Sequence, residues 1–384
     1  MPTPHVLVIE PCVHHIGFTR DVCSAFSAAG ARVTLLTTPS AGAAAQGCRA
    51  DVGAEWPEAP RPMPSPDGLP QLLLNRTRAA LRFYRHAATA KRALERTLER
   101  IGATHVVMTT SGPLDLYALA VADTRKLPVV AVAYDPPRGR ADRIALRRAG
   151  SQENRSLRIG TITPRLRDLY LEAGADPERV VIIPNPSLGA DRTGRPPRVA
   201  GTAPLTYVGN ARREKGFDFF VSAIPSLLEA EFRVTAQSYL RGDEEPEVVE
   251  AARRLSGMRN DGLTVVHGAV TDDEYAALLH DALAVVLPYR PEDYGQGRTS
   301  GILPEAWAYG VPVVVSDGWW GADQVRTYDA GTVFRFGDPD SLMVAVNRLR
   351  DDVADFSSRA KTAHLTMSGT AGPDAFAAWV LGSR

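Results

Sequence analysis

The sequence predicts an α/β protein of two halves, each a parallel sheet with helices on both faces. Three observations lead there. Short buried strand patterns alternate with helical ones along most of the chain, and such alternation gives parallel sheets covered on both sides. At 384 residues the chain is too long for one core of ordinary size. The formal charge of +0 is a cancellation: residues 1–199 hold 27 Lys+Arg against 18 Asp+Glu, and residues 200–384 hold 17 against 26. Opposite charges of that size imply halves with different partners.

In chain order, His5-Val-Leu-Val-Ile-Glu-Pro11 reads as a buried strand, followed by a loop to Gly17 and a helix to about Ala29. Arg32–Thr38 is the next strand. Residues 41–70, rich in Ala, Gly and Pro, read mostly as loop, and residues 71–100 have helical periodicity. Strands at 104–109 and 128–134 bracket a helix, and a further βαβ unit covers Ile159 to Ile183. Asn185–Ala203 combines Pro and Gly with little apolar content and reads as a linker between domains. A second series then begins, with strands expected at 205–208, 232–236, 263–266, 283–287, 312–315 and 332–334. The expected domains are therefore two Rossmann-like halves, 1–190 and 204–370, facing each other across a central cleft. Open sheets of this kind bind ligands beyond the carboxyl ends of their strands.

Composition excludes several classes. No apolar run approaches the ~20 residues that span a bilayer. The chain passes from Met1-Pro-Thr-Pro4 straight into a strand pattern, so no signal peptide is expected. Cys12, Cys23 and Cys48 are odd in number and fit no metal spacing, which suits reduced thiols in a cytoplasmic protein. Basic runs at 76–100 and 138–158, the latter with seven Arg, read as solvated surface. A sharper reading is an anionic acceptor or weak contact between the basic half and an acidic membrane surface. Nucleic acid is not expected as a partner, because those runs lack aromatics for stacking apart from Phe83-Tyr84. The oligomeric state stays open.

The chemistry concentrates in four segments. The stretch Arg298-Thr-Ser-Gly-Ile302-Leu-Pro-Glu305 opens a short helix with small residues. Ser300 and Gly301 leave backbone N–H groups where the helix begins, which favours an anion. One turn on, Glu305 is a carboxylate suited to sugar hydroxyls, and Arg298 faces either phosphate or solvent. In Tyr207-Val-Gly209-Asn-Ala-Arg212-Arg213-Glu-Lys215-Gly216, three cations follow a strand end. They suit a diphosphate, or form a solvated basic turn. His267-Gly268-Ala-Val270 follows a strand and precedes the helix Asp272–His280, and His267 itself reads equally as part of a structural turn. In the first half, Cys12-Val-His14-His15-Ile-Gly17 opens a helix. One of His14 and His15 is a candidate acceptor-site base, against a role in loop hydrogen bonding, and Gly17 lets backbone approach a substrate. Tyr134-Asp135-Pro136 ends a core strand; Asp135 is a candidate contact for an acceptor hydroxyl, against an Asx turn.

These motifs resemble the GT-B glycosyltransferases, and among them the retaining family 4 group. The matching residues are Gly209, Lys215, Gly216, Glu305, Ala306, Ala308, Gly310 and Pro312-Val-Val, with Ile182-Ile-Pro-Asn185 and Gly337-Asp338-Pro similar to further family segments. The resemblance implies that Lys215 meets phosphate, that Glu305 meets the nucleotide ribose, and that the loop from His267 through Gly268 to Val270 cradles the base through its backbone. It implies a sugar nucleotide as donor, an acceptor in the first half, retention of configuration and no required metal. It also implies that a last helix, about 373–384, returns to the first domain. Two positions depart from the family: Asn210 replaces an Arg, and Gly297 replaces an acid that approaches the donor sugar. The expected activity is glycosyl transfer to a small molecule, for instance in specialised-metabolite biosynthesis. The alternatives are a membrane-surface transferase with a lipid acceptor, and a nucleotide-sugar-binding protein without transferase activity.

Overall fold

The computed structural model describes residues 3–11, 16–42, 45, 48–53, 55–57, 69–137, 139–150, 156–187, 203–295 and 297–382. The chain divides into two units: Met1–Ser187 with Ala371–Arg384, and Leu188–Thr370. In the first unit the elements run β1 (His5–Glu10), α1 (Ile16–Ala28), β2 (Arg32–Thr37), α2 (Pro39–Gly42), β3 (Asp51–Gly53), α3 (Leu69–Ile101) and β4 (His105–Met108). They continue with α4 (Pro113–Val121), β5 (Val129–Ala133), α5 (Arg140–Gly150), β6 (Leu157–Thr161), α6 (Pro164–Glu172) and β7 (Val180–Ile182).

These seven strands form one parallel sheet in the order β3-β2-β1-β4-β5-β6-β7. Alternate residues of β1 serve different cores, Leu7 and Ile9 on one face and Val6 and Val8 on the other. That two-sided burial explains an unbroken apolar run in place of alternation. The 41–70 stretch is not all loop: α2 ends in it at Gly42, and β3 pairs with β2 through Asp51, Val52 and Gly53. The 138–158 run contains α5, whose Ala145, Leu146 and Ala149 are buried while Arg143 and Ile144 face outward.

The second unit comprises β8 (Leu205–Tyr207), a 3-10 turn (Arg213–Lys215), α7 (Phe217–Glu229), β9 (Val234–Ser238), α8 (Pro246–Gly257), β10 (Leu263–His267) and α9 (Asp272–His280). After these come β11 (Ala284–Leu287), α10 (Pro291–Tyr294), α11 (Ile302–Ala308), β12 (Val313–Ser316), α12 (Trp320–Tyr328), β13 (Gly331–Phe334), α13 (Pro339–Asp351) and α14 (Val353–Thr370). The six strands order as β10-β9-β8-β11-β12-β13, all parallel where paired. All six strands expected from the sequence are present here. Aromatic side chains stack within this core, Tyr207 on Phe220 at 5.2 Å and Phe219 on Phe334 at 5.8 Å.

After α14 the chain returns to the first unit as α15 (Pro373–Gly382). Phe376 and Val380 enter the same core as Val6, Val8 and Phe26, and the Phe26 and Phe376 rings meet edge-on at 6.2 Å. The Gly372 N–H donates to Asn185 O at 2.9 Å. Among the described residues no helix is long and apolar enough to cross a membrane.

Candidate functional site

In the second unit, strand order reverses between β8 and β11, and a crevice at such a switch point is the expected ligand site of an open sheet. The loops after these two strands meet there. Gly209 follows β8 with φ +105, and a Cβ on it would stand 3.3 Å from Lys215 Nζ and 3.2 Å from Ile302 Cδ1. A side chain at 209 would therefore occupy the space between the ammonium and the start of α11. The turn carrying Lys215 is fixed by Gly216 at φ +64, where a Cβ would collide with Pro288 O at 1.8 Å.

Burial pulls the Lys215 ammonium down from 10.5 to about 8, with Arg212 and Arg298 pushing the same way and Glu214 and Glu305 opposing. Mutual influence of this kind places Arg212, Lys215, Arg298 and Glu305 in one electrostatic cluster. A partly desolvated ammonium among further cations is a strong point for an anion. Glu305, in the first turn of α11, accepts from Tyr275 Oη at 2.5 Å, so α9 orients the carboxylate.

The 298–301 loop rests on aromatic side chains. Arg298 Cζ lies 4.7 Å from the Tyr294 ring centre, a cation–π distance. Ser300 Oγ is 3.2 Å from Tyr289 Oη. Tyr289 packs on Tyr294 at 4.4 Å and on Trp319 at 4.8 Å. The Ser300 hydroxyl therefore anchors the loop inward. Gly301 is exposed, and a Cβ there would meet nothing, which leaves the approach to α11 open. With seven residues, α11 is a short helix.

Arg213, His267 and Val270 stand apart from the cluster. The Arg213 guanidinium lies between Glu247 at 3.2 Å and Asp293 at 3.5 Å, and its carbonyl accepts from Arg290 Nε at 2.9 Å. It thus serves the turn's own scaffold, together with the Arg290–Asp218 ion pair at 2.6 Å. Arg212 pairs with Glu214 at 3.3 Å while still bearing on Lys215. His267 ends β10 with an exposed side chain. Val270 lines a separate cavity of about 470 Å³, together with Thr206, Thr235, Thr264 and Glu274.

Gln237, at the end of β9, was not singled out from the sequence. Its Oε1 accepts from the Gly209 N–H at 2.8 Å, and its Nε2 donates to Gly268 O at 2.8 Å. One buried amide therefore couples the β8 loop to the β10 loop. A lone Gln within Val-Thr-Ala-Gln-Ser238 was the only signal, since nothing apolar explains it there.

In the first unit, Tyr134 follows β5 and its ring meets Phe18 of α1 edge-on at 5.9 Å, next to Gly17. The Tyr134 hydroxyl is pushed up by burial, opposed by a hydrogen bond with Ser187. Asp135 has an exposed side chain and its carbonyl accepts from Tyr170 Oη at 3.3 Å. His14 and His15 lie outside the described residues. The switch point of this sheet falls between β1 and β4. There the sequence reading missed Glu10, a fully buried carboxylate. Its Oε2 accepts from Thr109 at 2.7 Å, Thr19 at 3.0 Å and Thr110 at 3.1 Å. A charge out of water needs such donors. Among the described residues, no group of three or more His, Cys, Asp or Glu could hold a metal ion.

Comparison with known proteins places both units in a family. Residues 18–186 match the family described as "Glycosyl transferase 4-like domain", and residues 203–352 match "Glycosyl transferases group 1". The glycogen synthase of Mycobacterium tuberculosis is 31% identical over 169 residues, 44% of this chain and 39% of that protein. The glycogen synthase of Thermus thermophilus is 31% identical over 160 residues, 41% of this chain and 33% of that protein. The match thus spans well under half of these relatives' length. Among solved structures, a glycosyltransferase from Rickettsia africae superposes with a TM-score of 0.71 at 11% identity, covering 100% of both chains. Sucrose-phosphate synthase from Thermosynechococcus elongatus gives 0.67 at 14%, covering 98% of this chain and 97% of that one. Anabaena HepE in complex with UDP and glucose gives 0.67 at 13%, covering 98% of both. At such identities the superpositions show the fold. With two family matches tiling the two units in order, and with that fold, the chain belongs to the GT-B glycosyltransferases.

Proposed function

We propose that this protein transfers a sugar from a nucleoside diphosphate to a small-molecule acceptor with retention of configuration. The supporting observation is the convergence of Gly209, Lys215, Ile302, Arg298 and Glu305 at the switch point of the second unit. In this reading the diphosphate lies against Lys215 and the N–H groups around Ser300 and Gly301, with Arg298 as the outer cation. Glu305, held by Tyr275, accepts from the ribose hydroxyls. The Gly209 and Gly268 loops, tied through Gln237, flank the nucleotide. The glycogen synthase relatives and the UDP complex of HepE are consistent with such a donor.

As the glycosidic bond breaks, negative charge grows on the leaving diphosphate. Lys215 and Arg298 stabilise that charge more than they stabilise the ground state, and this is electrostatic catalysis. The acceptor is assigned to the first unit, near Gly17, Tyr134 and Asp135. No side chain is assigned as a covalent nucleophile; the acceptor attacks the face the diphosphate leaves, and a departing phosphate oxygen takes the acceptor proton. The test is incubation with a panel of sugar nucleotides, with release of free nucleoside diphosphate followed with and without added acceptors. Release that is lost in Lys215→Ala supports the reading. Tight nucleotide binding with no release under any condition would leave a binding protein in its place.

A further inference from the structure

Two cysteines outside both sites form a pair. Cys23 lies in α1, fully buried in the core that also holds Phe26 and Phe376. Cys48, in the segment between β2 and β3, packs against the same core, is half-buried, and shares a sulfur hydrogen bond with Cys23. Both are free thiols. Their backbones are tied together: Ser27 Oγ stands 3.0 Å from Cys23 O and 3.1 Å from Arg49 O. The Cys48 N–H donates to Ala45 O at 3.1 Å. Neither thiol has a part in the proposed transfer.

The two sulfurs differ in surroundings. The hydrogen bond with Cys48, burial and the charge of Glu10 push Cys23 up, so it remains a thiol. The hydrogen bond from Cys23 and the Arg20 guanidinium pull Cys48 down to about 7 against the effect of its own burial. A partly exposed thiolate beside a cation, backed by a second thiol in contact, is the arrangement of an oxidation-sensitive pair.

The geometry points to a reversible oxidation site in which Cys48 reacts with a hydroperoxide and Cys23 resolves it as a disulfide between α1 and the β2–β3 segment. Cys48 Sγ attacks one peroxide oxygen, the O–O bond breaks, and the leaving oxygen takes a proton and departs as water in the case of hydrogen peroxide. This leaves Cys48 as a sulfenic acid. Cys23 Sγ then attacks the Cys48 sulfur, the S–O bond breaks, and hydroxide leaves with the Cys23 proton as a second water. Two thiols and one peroxide become one disulfide and two waters, and a dithiol reverses the change.

The test uses the full reduced chain, one equivalent of hydrogen peroxide and peptide mapping without reductant. A Cys23–Cys48 cross-link is expected, together with loss of two titratable thiols that dithiothreitol restores. Cys12→Ser should keep the link. Cys23→Ser should instead accumulate a sulfenic acid on Cys48, trapped by dimedone. Iodoacetamide should alkylate Cys48 increasingly fast as pH rises through about 7. The inference is overturned if the link runs through Cys12, or if Cys48 goes directly to sulfinic acid with Cys23 unchanged. Failure of Cys48 to outpace free cysteine at neutral pH would overturn it too. Should Cys23→Ser fail to fold, the mapped cross-link and the alkylation rate of Cys48 in the unsubstituted chain carry the same decision.

Discussion

Lys215 gives the sharpest expectation, because its charge before nucleotide binds is set by the surroundings. Its ammonium titrates at about 8, not 10.5, with burial as the first cause. A diphosphate binds the charged form. Around pH 7 most free sites carry the ammonium, while at about pH 9 roughly a tenth do, so affinity should fall about tenfold per pH unit above 8. The fall ends where the bound-state titration begins, which the ligand's negative charge moves upward. Folding stability runs the other way. The folded ammonium is disfavoured relative to the unfolded one, so the penalty is fully present below 8 and is relieved as pH rises from 8 towards 10.5. Lys215→Ala should cost about 1.5–3 kcal/mol of nucleotide affinity near neutrality, the range of a charged hydrogen bond, and should flatten the alkaline slope. Lys215→Arg should flatten the slope while keeping the charge. Calorimetric titration with UDP and GDP across this pH range, in buffers of differing ionisation enthalpy, measures both affinity and proton uptake. Wild-type affinity that stays level through pH 8–9.5, or an Ala variant with the wild-type slope, would refute the assignment.

Glu305→Gln should weaken nucleoside diphosphate binding about tenfold while leaving inorganic pyrophosphate affinity unchanged, and Tyr275→Phe should cost about 1 kcal/mol through lost orientation; competition binding separates the two. Gly216→Ala should destabilise by at least about 2 kcal/mol in chemical denaturation, since its Cβ meets Pro288 O at positive φ. Gln237→Leu leaves the Gly209 N–H and Gly268 O unpaired and should cost about 2–4 kcal/mol, read as a lowered denaturation midpoint. Glu10→Gln replaces a triply hydrogen-bonded carboxylate with an amide and should lower stability by about 1–3 kcal/mol without changing UDP affinity in titration.

Most strands of the second unit were legible as short, largely apolar runs between turn residues, with Val313-Val-Val-Ser316 the plainest. β3 was not, because Asp51-Val-Gly53 is an edge strand with no apolar run of its own and takes its shape from pairing with β2. α5 was obscured by arginines, which solvate one side of a helix held by Ala145, Leu146 and Ala149. In the site, Gly209, Lys215 and Glu305 were visible because nothing about packing asks for a glycine or a charge at those strand and helix ends. Gln237 and Glu10 were hidden for the opposite reason: each sits at the tail of a strand and reads as part of it. Thr19 apart, their partners lie 28 to 100 residues away. The fate of Arg213 was equally non-local, since Glu247 and Asp293 reach it from other elements.

The return of α15 has a consequence for how the protein is made. Phe376, Ala377 and Val380 complete a core whose other members, from Val6 to Ile183, lie far earlier in the chain. During synthesis that early sheet must wait, with the Phe26 side of its surface uncovered, while the whole of the second unit emerges from the ribosome. The second unit has a core of its own, whose members run from Leu205 to Phe356. Domains usually mature in the order in which they are translated. Here the expected order is the reverse, with the earlier unit closed by the ten-residue α15 after the later one has emerged.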